Sequence, residues 1–268
     1  MKKGLFLLFS GLAAISTQAQ DTTKFIIGEP AANKTMKHEE TEFYTPVPTV
    51  VTPGKNAGDA PSDAIILFDG KNLDSWCGQD DPTKPALWTV SDGMITVKKG
   101  TGSIRTKQSF TDYQLHIEFR IPEGIHGEGQ ARGNSGIFLA NTGKGDAGYE
   151  LQVLDNYNNS TYVNGQVGSI YKQSIPLANP SRKPGEWQVY DVAWTAPRFN
   201  NDGSLKSPAK VTVFLNGVLV QNNYILKGVT AWIGYPYYSA HGACPIKLQD
   251  HGDPSEPISF RNIWVRPL

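Results

Sequence analysis

From Ala64 onward, apolar residues return at every second position in short runs that Gly, Asn, Asp and Pro break. That alternation is the pattern of strands with one buried face, separated by tight turns. The clearest runs are 113–120 (YQLHIEFR), 135–139 (SGIFL), 149–154 (YELQVL), 187–194 (WQVYDVAW), 211–215 (VTVFL) and 258–265 (ISFRNIWV). Helical spacing is nearly absent. Asp92-Gly93 lies between WTV and MITV, and Asn216-Gly217 between VTVFL and VLV. Each dipeptide suits a two-residue hairpin turn whose central positions both need positive φ. Many short strands without an internal repeat or covering helices predict an all-β fold: a jelly-roll sandwich of two antiparallel sheets. Two longer stretches interrupt the strands, 196–209 and the aromatic 231–245, which carries Trp232, Tyr235, Tyr237 and Tyr238. Loops of that size are expected to border a site.

The N-terminus reads differently. Residues 1–20, MKKGLFLLFSGLAAISTQAQ, place two lysines before an apolar run and small residues after it. This is the order of a secretory signal, assigned to 1–19. The apolar run is too short to span a bilayer, and no cysteine follows the expected cleavage point, so a periplasmic or secreted protein without membrane insertion is expected. Residues 20–62 are polar and interrupted by Pro46, Pro48, Pro53, Gly54, Gly58 and Pro61, which predicts a leader or linker with little order. Within it, 34–44 suits one short helical turn. The remaining 63–268 forms the domain. Export would place Cys77 and Cys244, the two cysteines, in an oxidising compartment, where they either pair or persist as separate thiols. Lys and Arg number 25, as do Asp and Glu. That balance offers no field to hold a polyanion, which argues against a nucleic-acid surface and for neutral partners.

Strand parity sorts the polar residues into faces. In 149–154, Tyr149, Leu151 and Val153 share the apolar face, so Glu150 and Gln152 project side by side from the other. In 246–252 (IKLQDHG), Lys247, Gln249 and His251 share a face, and an imidazole suits proton transfer at neutral pH. In 113–120, Gln114, His116, Glu118 and Arg120 form the polar face, where Glu118 and Arg120 either pair or reach a ligand. Arg132 and Asn134 follow a Gly-rich loop that would let backbone approach a ligand closely. Tyr171 and Lys172 close the set, the lysine as a donor to a ketone or enolate oxygen or as a rim charge. Taken alone, the faces of Glu150 and His251 are more often solvated surface, and the Glu118–Arg120 pair is as readily structural; their convergence would make a site. Zinc spacing, a phosphate loop and a nucleophile elbow are all missing. No cofactor is expected, and a calcium ion in the Asp- and Asn-rich loop 155–159 is conceivable without being demanded.

The ordered motifs LFDGKNLDSW (67–76), WTVSDGMI (88–95), HIEFR (116–120), NSGIFL (134–139), YELQVLD (149–155), GSIY (168–171), PGEW (184–187), LNG (215–217), LQDHG (248–252) and FRNIWV (260–265) strongly resemble the bacterial 3-keto-disaccharide hydrolase family. The likeness runs from Ile65 to the end of the chain. It implies a concanavalin A-like jelly roll, often exported, that acts on glycosides whose carbon 3 is a ketone, by a hydrolase or lyase route. A conventional glycosidase flanks the bond with two carboxylates, whereas the face of Glu150, Gln152 and Leu154 supplies one. A ketone at carbon 3 acidifies the hydrogen on carbon 2, so one base, one acid and an enolate clamp suffice.

Glu150 and His251 are therefore expected to divide the acid and base roles, in an order left open. Lys172, Gln152 and Gln249 would bind the oxidised sugar, and Arg132, Asn134 and Tyr171 would complete the pocket, with Glu118 and Arg120 as further ligand contacts. Two alternatives stand beside this. An endo-glucanase would recruit Asp155 as its second acid, and a non-catalytic sugar-binding module would use Trp232, Tyr235, Tyr237 and Tyr238 as a stacking platform.

Overall fold

The computed structural model describes residues 35–268; the expected signal, 1–19, and the start of the leader lie outside the described residues. The chain divides into two compact units, the second beginning at Val51. The described part of the first carries one turn of 3-10 helix, His38–Thr41, at whose start the Glu40 carboxylate accepts a hydrogen bond from the Lys37 amide. This is the short turn expected within 34–44. No helix among the described residues is long and apolar enough to cross a membrane.

The second unit, Val51–Leu268, is built from strands: β1 (Ile65–Phe68), β2 (Trp76–Gly78), β3 (Thr89–Ser91), β4 (Met94–Thr96), β5 (Ile104–Thr106), β6 (Tyr113–Arg120), β7 (Ser135–Asn141), β8 (Gly148–Val153), β9 (Trp187–Thr195), β10 (Arg198–Phe199), β11 (Leu205–Ser207), β12 (Lys210–Leu215), β13 (Val218–Ile225), β14 (Lys247–Leu248) and β15 (Ser259–Pro267). Eight of them form one sheet, in the order β13-β12-β9-β6-β15-β4-β3 with β1 also on β15, and five form the other, β2-β5-β14-β7-β8. All pairings are antiparallel. The protein is thus the expected jelly-roll sandwich. Both hairpin dipeptides turn as read, with φ of 50° and 73° at Asp92-Gly93 and 53° and 79° at Asn216-Gly217. The stretch 196–209 contains the small β10–β11 hairpin.

Alternation sends Tyr113, Leu115, Ile117 and Phe119 of β6, Tyr190, Val192 and Trp194 of β9, and Tyr149, Leu151 and Val153 of β8 into one shared core. Burying these side chains contributes about 2 kcal/mol each, the main source of stability. Two tyrosines also bond across the gap between the sheets. The Tyr113 hydroxyl donates to Leu139 O at 2.6 Å, and that of Tyr190 to Gln152 O at 2.7 Å. The second bond pins β8, the strand whose opposite face carries Glu150.

The proline and glycine content of 20–62 predicts little order, yet its last part, 51–62, lies on the outer face of the eight-stranded sheet. Gly58 O accepts from both Trp264 Nε1 and Asn262 Nδ2 at 2.9 Å. The close fit requires glycine: φ is +88°, and a Cβ would stand 3.1 Å from the His116 ring. Beneath it, His116 is buried, stacked on Trp264 with ring centroids 5.2 Å apart. Its Nδ1 is 2.7 Å from Asp191 Oδ1 and its Nε2 is 3.7 Å from Glu118 Oε1.

Burial works against the imidazolium, but the hydrogen bonds and charges of Asp191 and Glu118 outweigh it and raise His116 from 6.5 to about 9. A raised folded pKa contributes stability that is complete below the ordinary value and is lost as pH climbs through the folded one. The midpoint of urea unfolding should therefore drop between about pH 6.5 and pH 10, and drop less in His116→Gln. An equal drop in both proteins would place the pH-sensitive group elsewhere. The two cysteines take the separate course: both are buried and free, with Cys77 Sγ donating to Arg105 O and Cys244 Sγ 3.4 Å from His241 Nδ1.

Candidate active site

The outer face of the five-stranded sheet carries the site. Register places Lys247 of β14 opposite Phe138 of β7, and Phe138 opposite Glu150 of β8, so these three lie in one row across the sheet. In the next row Gly136 stands opposite Gln152, and the Gln249 amide bonds to Gly136 O. Above the rows opens a cleft of about 520 Å³. Glu150, Gln152 and Gln249 come from the strands or their ends, whereas Gln130, Asn134, Tyr162, Tyr171, Thr230, Trp232 and His251 arrive on loops and strand starts. Asp146 joins them from the turn between β7 and β8.

Of the residues predicted from sequence, the cleft gathers Glu150, His251, Asn134, Gln152, Tyr171 and Gln249. Four do not line it. Glu118 and Arg120 belong to β6 in the eight-stranded sheet, and their polar face looks away from the cleft. Glu118 Oε2 accepts from Arg261 Nε at 2.6 Å, and Arg120 lies 4.9 Å from the centroid of the Trp187 ring. Arg132 is spent on the buried Asp155, 2.7 Å from Nε to Oδ2. That pairing also withdraws Asp155 from the second-acid role. Lys172 stands at the rim, where its ammonium donates to Trp232 O. In the loop 155–159, Asp155 turns to Arg132 and the Asn159 amide bonds to Gly129 O and Asp155 O, so its polar groups are used internally. No group of three His, Cys, Asp or Glu side chains is placed to hold a metal ion among the described residues.

Glu150 lies flat across the neighbouring strand because position 136 has no side chain: a Cβ there would stand 2.3 Å from Glu150 Oε1. Burial, reinforced by the nearby Asp146 carboxylate and only partly offset by Lys247, pushes the Glu150 carboxyl from 4.5 to about 8. It is therefore largely protonated at neutral pH. Asp146 behaves in the opposite way. Burial alone would raise it, but the Lys247 ammonium, 2.6 Å from its Oδ1, together with Gln249 and His251, holds it below the usual range. Lys247 is fully buried, seated 3.4 Å from the centroid of the Phe138 ring and donating to Gly145 O at 2.9 Å. The cleft thus holds two carboxyl groups with opposite preferences, the arrangement that separates an acid from an anion. Sequence reasoning missed Asp146 and left Lys247 without a role.

His251 is oriented by its neighbours. Nδ1 lies 3.4 Å from Asp253 Oδ2, and Nε2 lies 3.2 Å from the Asn134 amide nitrogen. Asp253 in turn accepts from the Ser255 amide at 2.9 Å. Burial raises Asp253, but the hydrogen bonds from His251 and Ser255 outweigh it and keep the carboxyl below its usual value. The network assigns the proton to Nδ1 and a lone pair to Nε2. The Gln152 amide nitrogen donates to Gln130 Oε1 and Asn134 Oδ1, each at 3.2 Å. Within the described residues, the carbonyl oxygens of Gln152 and Gln249 are buried with no hydrogen-bond partner. Tyr171 shares a 2.7 Å hydrogen bond with Tyr162, and burial, that bond and the nearby carboxylates keep its phenol protonated. Tyr238 turns away from the cleft, packing on Tyr149 and Phe199, and so leaves the expected platform.

A jelly roll carrying an acid, an oriented imidazole and a bank of amides in one cleft is the layout of a carbohydrate-active enzyme, and the chain's relatives are of that class. A 3-keto-alpha-glucoside-1,2-lyase-like domain matches residues 63–266, and the chain belongs to that family. The chain is 58% identical to a provisionally assigned glycosyl hydrolase from Parabacteroides distasonis, whose crystal structure superposes with a TM-score of 0.80 over 87% of this chain and 97% of that one. Two more provisionally assigned glycosyl hydrolases of that organism share the fold. They are 21% and 23% identical, with TM-scores of 0.57 and 0.55, over 77% and 76% of this chain and 94% and 99% of theirs. No curated protein matches the chain.

Proposed function

We propose that the protein cleaves the bond between carbon 1 and the leaving oxygen of glycosides oxidised to a ketone at carbon 3, by elimination across carbons 1 and 2. The observation that carries this reading is the meeting of Glu150 and His251, one a buried protonated carboxyl and the other an imidazole steadied by Asp253, in a cleft lined with amides. Nε2 of His251, released from its hydrogen bond with the Asn134 amide as the sugar enters, takes the proton from carbon 2, and the bonding pair forms the enolate of the ketone. The Tyr171 phenol and the Gln249 amide nitrogen are donors available to that oxyanion, while the unpartnered carbonyl oxygens of Gln152 and Gln249 can accept from the sugar's hydroxyls. The enolate then collapses to restore the ketone and form the double bond between carbons 1 and 2, while Glu150 protonates the departing oxygen. His251 is left protonated and Glu150 ionised, and exchange with water resets both. Addition of water across the double bond would complete a net hydrolysis. The sequence of residues 1–19 supports export, which places this chemistry in the periplasm or outside the cell.

The test follows a 3-keto-glucoside in deuterated water, measuring aglycone release and label at carbon 2. Release should depend on the ketone; equal release from the unoxidised glucoside would sink the scheme. The pH profile reads the roles: with Glu150 as the acid, kcat/KM should fall as pH rises through about 8, where the carboxyl loses its proton. A rise through the same region would make Glu150 the base. One observation favours a second reading, conventional hydrolysis with Asp146 as the partner carboxylate, since Asp146 also lines the cleft. Its ion pair with Lys247 weakens it as a base, and turnover of an unoxidised glucoside that Asp146→Asn abolishes would favour this route.

A further inference from the structure

We infer that the mouth of the cleft is a subsite for a flat apolar leaving group, with Trp232 as its platform and Lys172 as the residue that fixes the platform; this rests on the elimination reading above. The hydrogen-bonding side chains concentrate deep in the cleft, where Glu150, Gln152, Gln249 and Asn134 are buried. These match the hydroxyls and ketone of one sugar ring. A substituent on carbon 1 must then extend toward the mouth.

The mouth has the opposite chemistry. Trp232 lines the cleft yet is 74% exposed, and Ile233 and Tyr235 beside it are more exposed still. Residues 231–236 read AWIGYP, without a charged or amide side chain. Across from them Tyr162, also lining the cleft, presents a second exposed ring. A second sugar would bring hydroxyls that need partners, and the rim's polar groups are already engaged, the Lys172 ammonium with Trp232 O and the Tyr162 and Tyr171 hydroxyls with each other. An aryl or alicyclic group needs only surfaces, and large exposed apolar groups continuous with a site mark a binding surface.

The platform is also held in place. Lys172 adopts φ of +57°, its amide donates to Asn164 O at 2.8 Å, and its ammonium donates to Trp232 O. The same ammonium stands 5.7 Å and 5.8 Å from the ring centroids of Tyr162 and Tyr171. One lysine therefore ties the Trp232 loop to the tyrosine pair across the opening.

The experiment compares benzyl and methyl 3-keto-glucosides, whose alcohols leave with similar ease, so that their ratio of kcat/KM reads the ring alone. Wild type should favour benzyl by about tenfold, the worth of one good apolar contact. Trp232→Ala should bring the ratio near one, Trp232→Phe should keep most of it, and Lys172→Met should reduce it in part. A wild-type ratio near one, an unchanged ratio in Trp232→Ala, or a preference for a 3-keto-disaccharide over the benzyl compound would overturn the proposal. A calorimetric arm with unoxidised benzyl and methyl glucosides needs no turnover. Tighter benzyl binding that Trp232→Ala removes, without reaction of either keto-glucoside, would retain the subsite and discard the elimination. Turnover without benzyl preference would do the reverse.

Discussion

Glu150→Gln should lower kcat/KM for an alkyl or sugar 3-keto-glucoside by about 10² to 10⁴-fold, the range of a lost general acid. The substitution preserves size and changes little in the packing, because the carboxyl it replaces is already largely neutral, with its pKa near 8. A nitrophenyl leaving group departs without a proton, so the same variant should lose far less with that substrate. Steady-state kinetics on the two substrates make the comparison. Equal losses on both would assign Glu150 to proton removal at carbon 2 and leave His251 as the acid.

Gly136→Ala should cost about 10²-fold in kcat/KM while the protein stays folded, the scale expected when a reacting group moves by roughly 1 Å. The added Cβ would lie 2.3 Å from Glu150 Oε1 and 3.0 Å from Cδ and Cγ, so the carboxyl must leave its place. The obstacle is the far end of a flexible side chain, and Gly136 does not occupy the left-handed region, so the backbone tolerates alanine. A circular dichroism melt alongside the kinetics separates displacement from unfolding. Full activity in a folded Gly136→Ala protein would show that the position of Glu150 does not matter to the reaction.

The local pattern carried most of the architecture. Period-two alternation identified the runs that became β6, β8, β9 and β15, and two dipeptides marked the β3–β4 and β12–β13 hairpins. It also set Glu150 and Gln152 on one face, and Gln249 with His251 on another. What parity cannot say is which sheet a strand joins. The polar face of β6 looked as promising as that of β8, yet its strand neighbours sent Glu118 to Arg261 and His116 to Asp191. Asp146 was hidden for a related reason: a turn residue reaches the cleft only because Lys247, far along the chain, is buried beside it. Arg132 and Asp155 met through folding that no motif announced. The order of residues 51–62 was equally illegible, since it depends on backbone acceptors meeting Trp264 and Asn262 near the other end of the chain.

The hydrogen bond from Tyr190 to Gln152 O separates two kinds of evolutionary freedom. The strand bearing Glu150 is bolted to the opposite layer, while the Trp232 rim is the exposed tip, 232–235, of a connecting segment. Exchange of the exposed 232–235 alone would therefore change the rim and leave the Glu150 strand in place, whereas the rest of that loop is framework, with Tyr238 on Tyr149 and the Cys244 backbone paired to Phe110. Divergence within such a scaffold would begin at the edge of the cleft and reach Glu150 last.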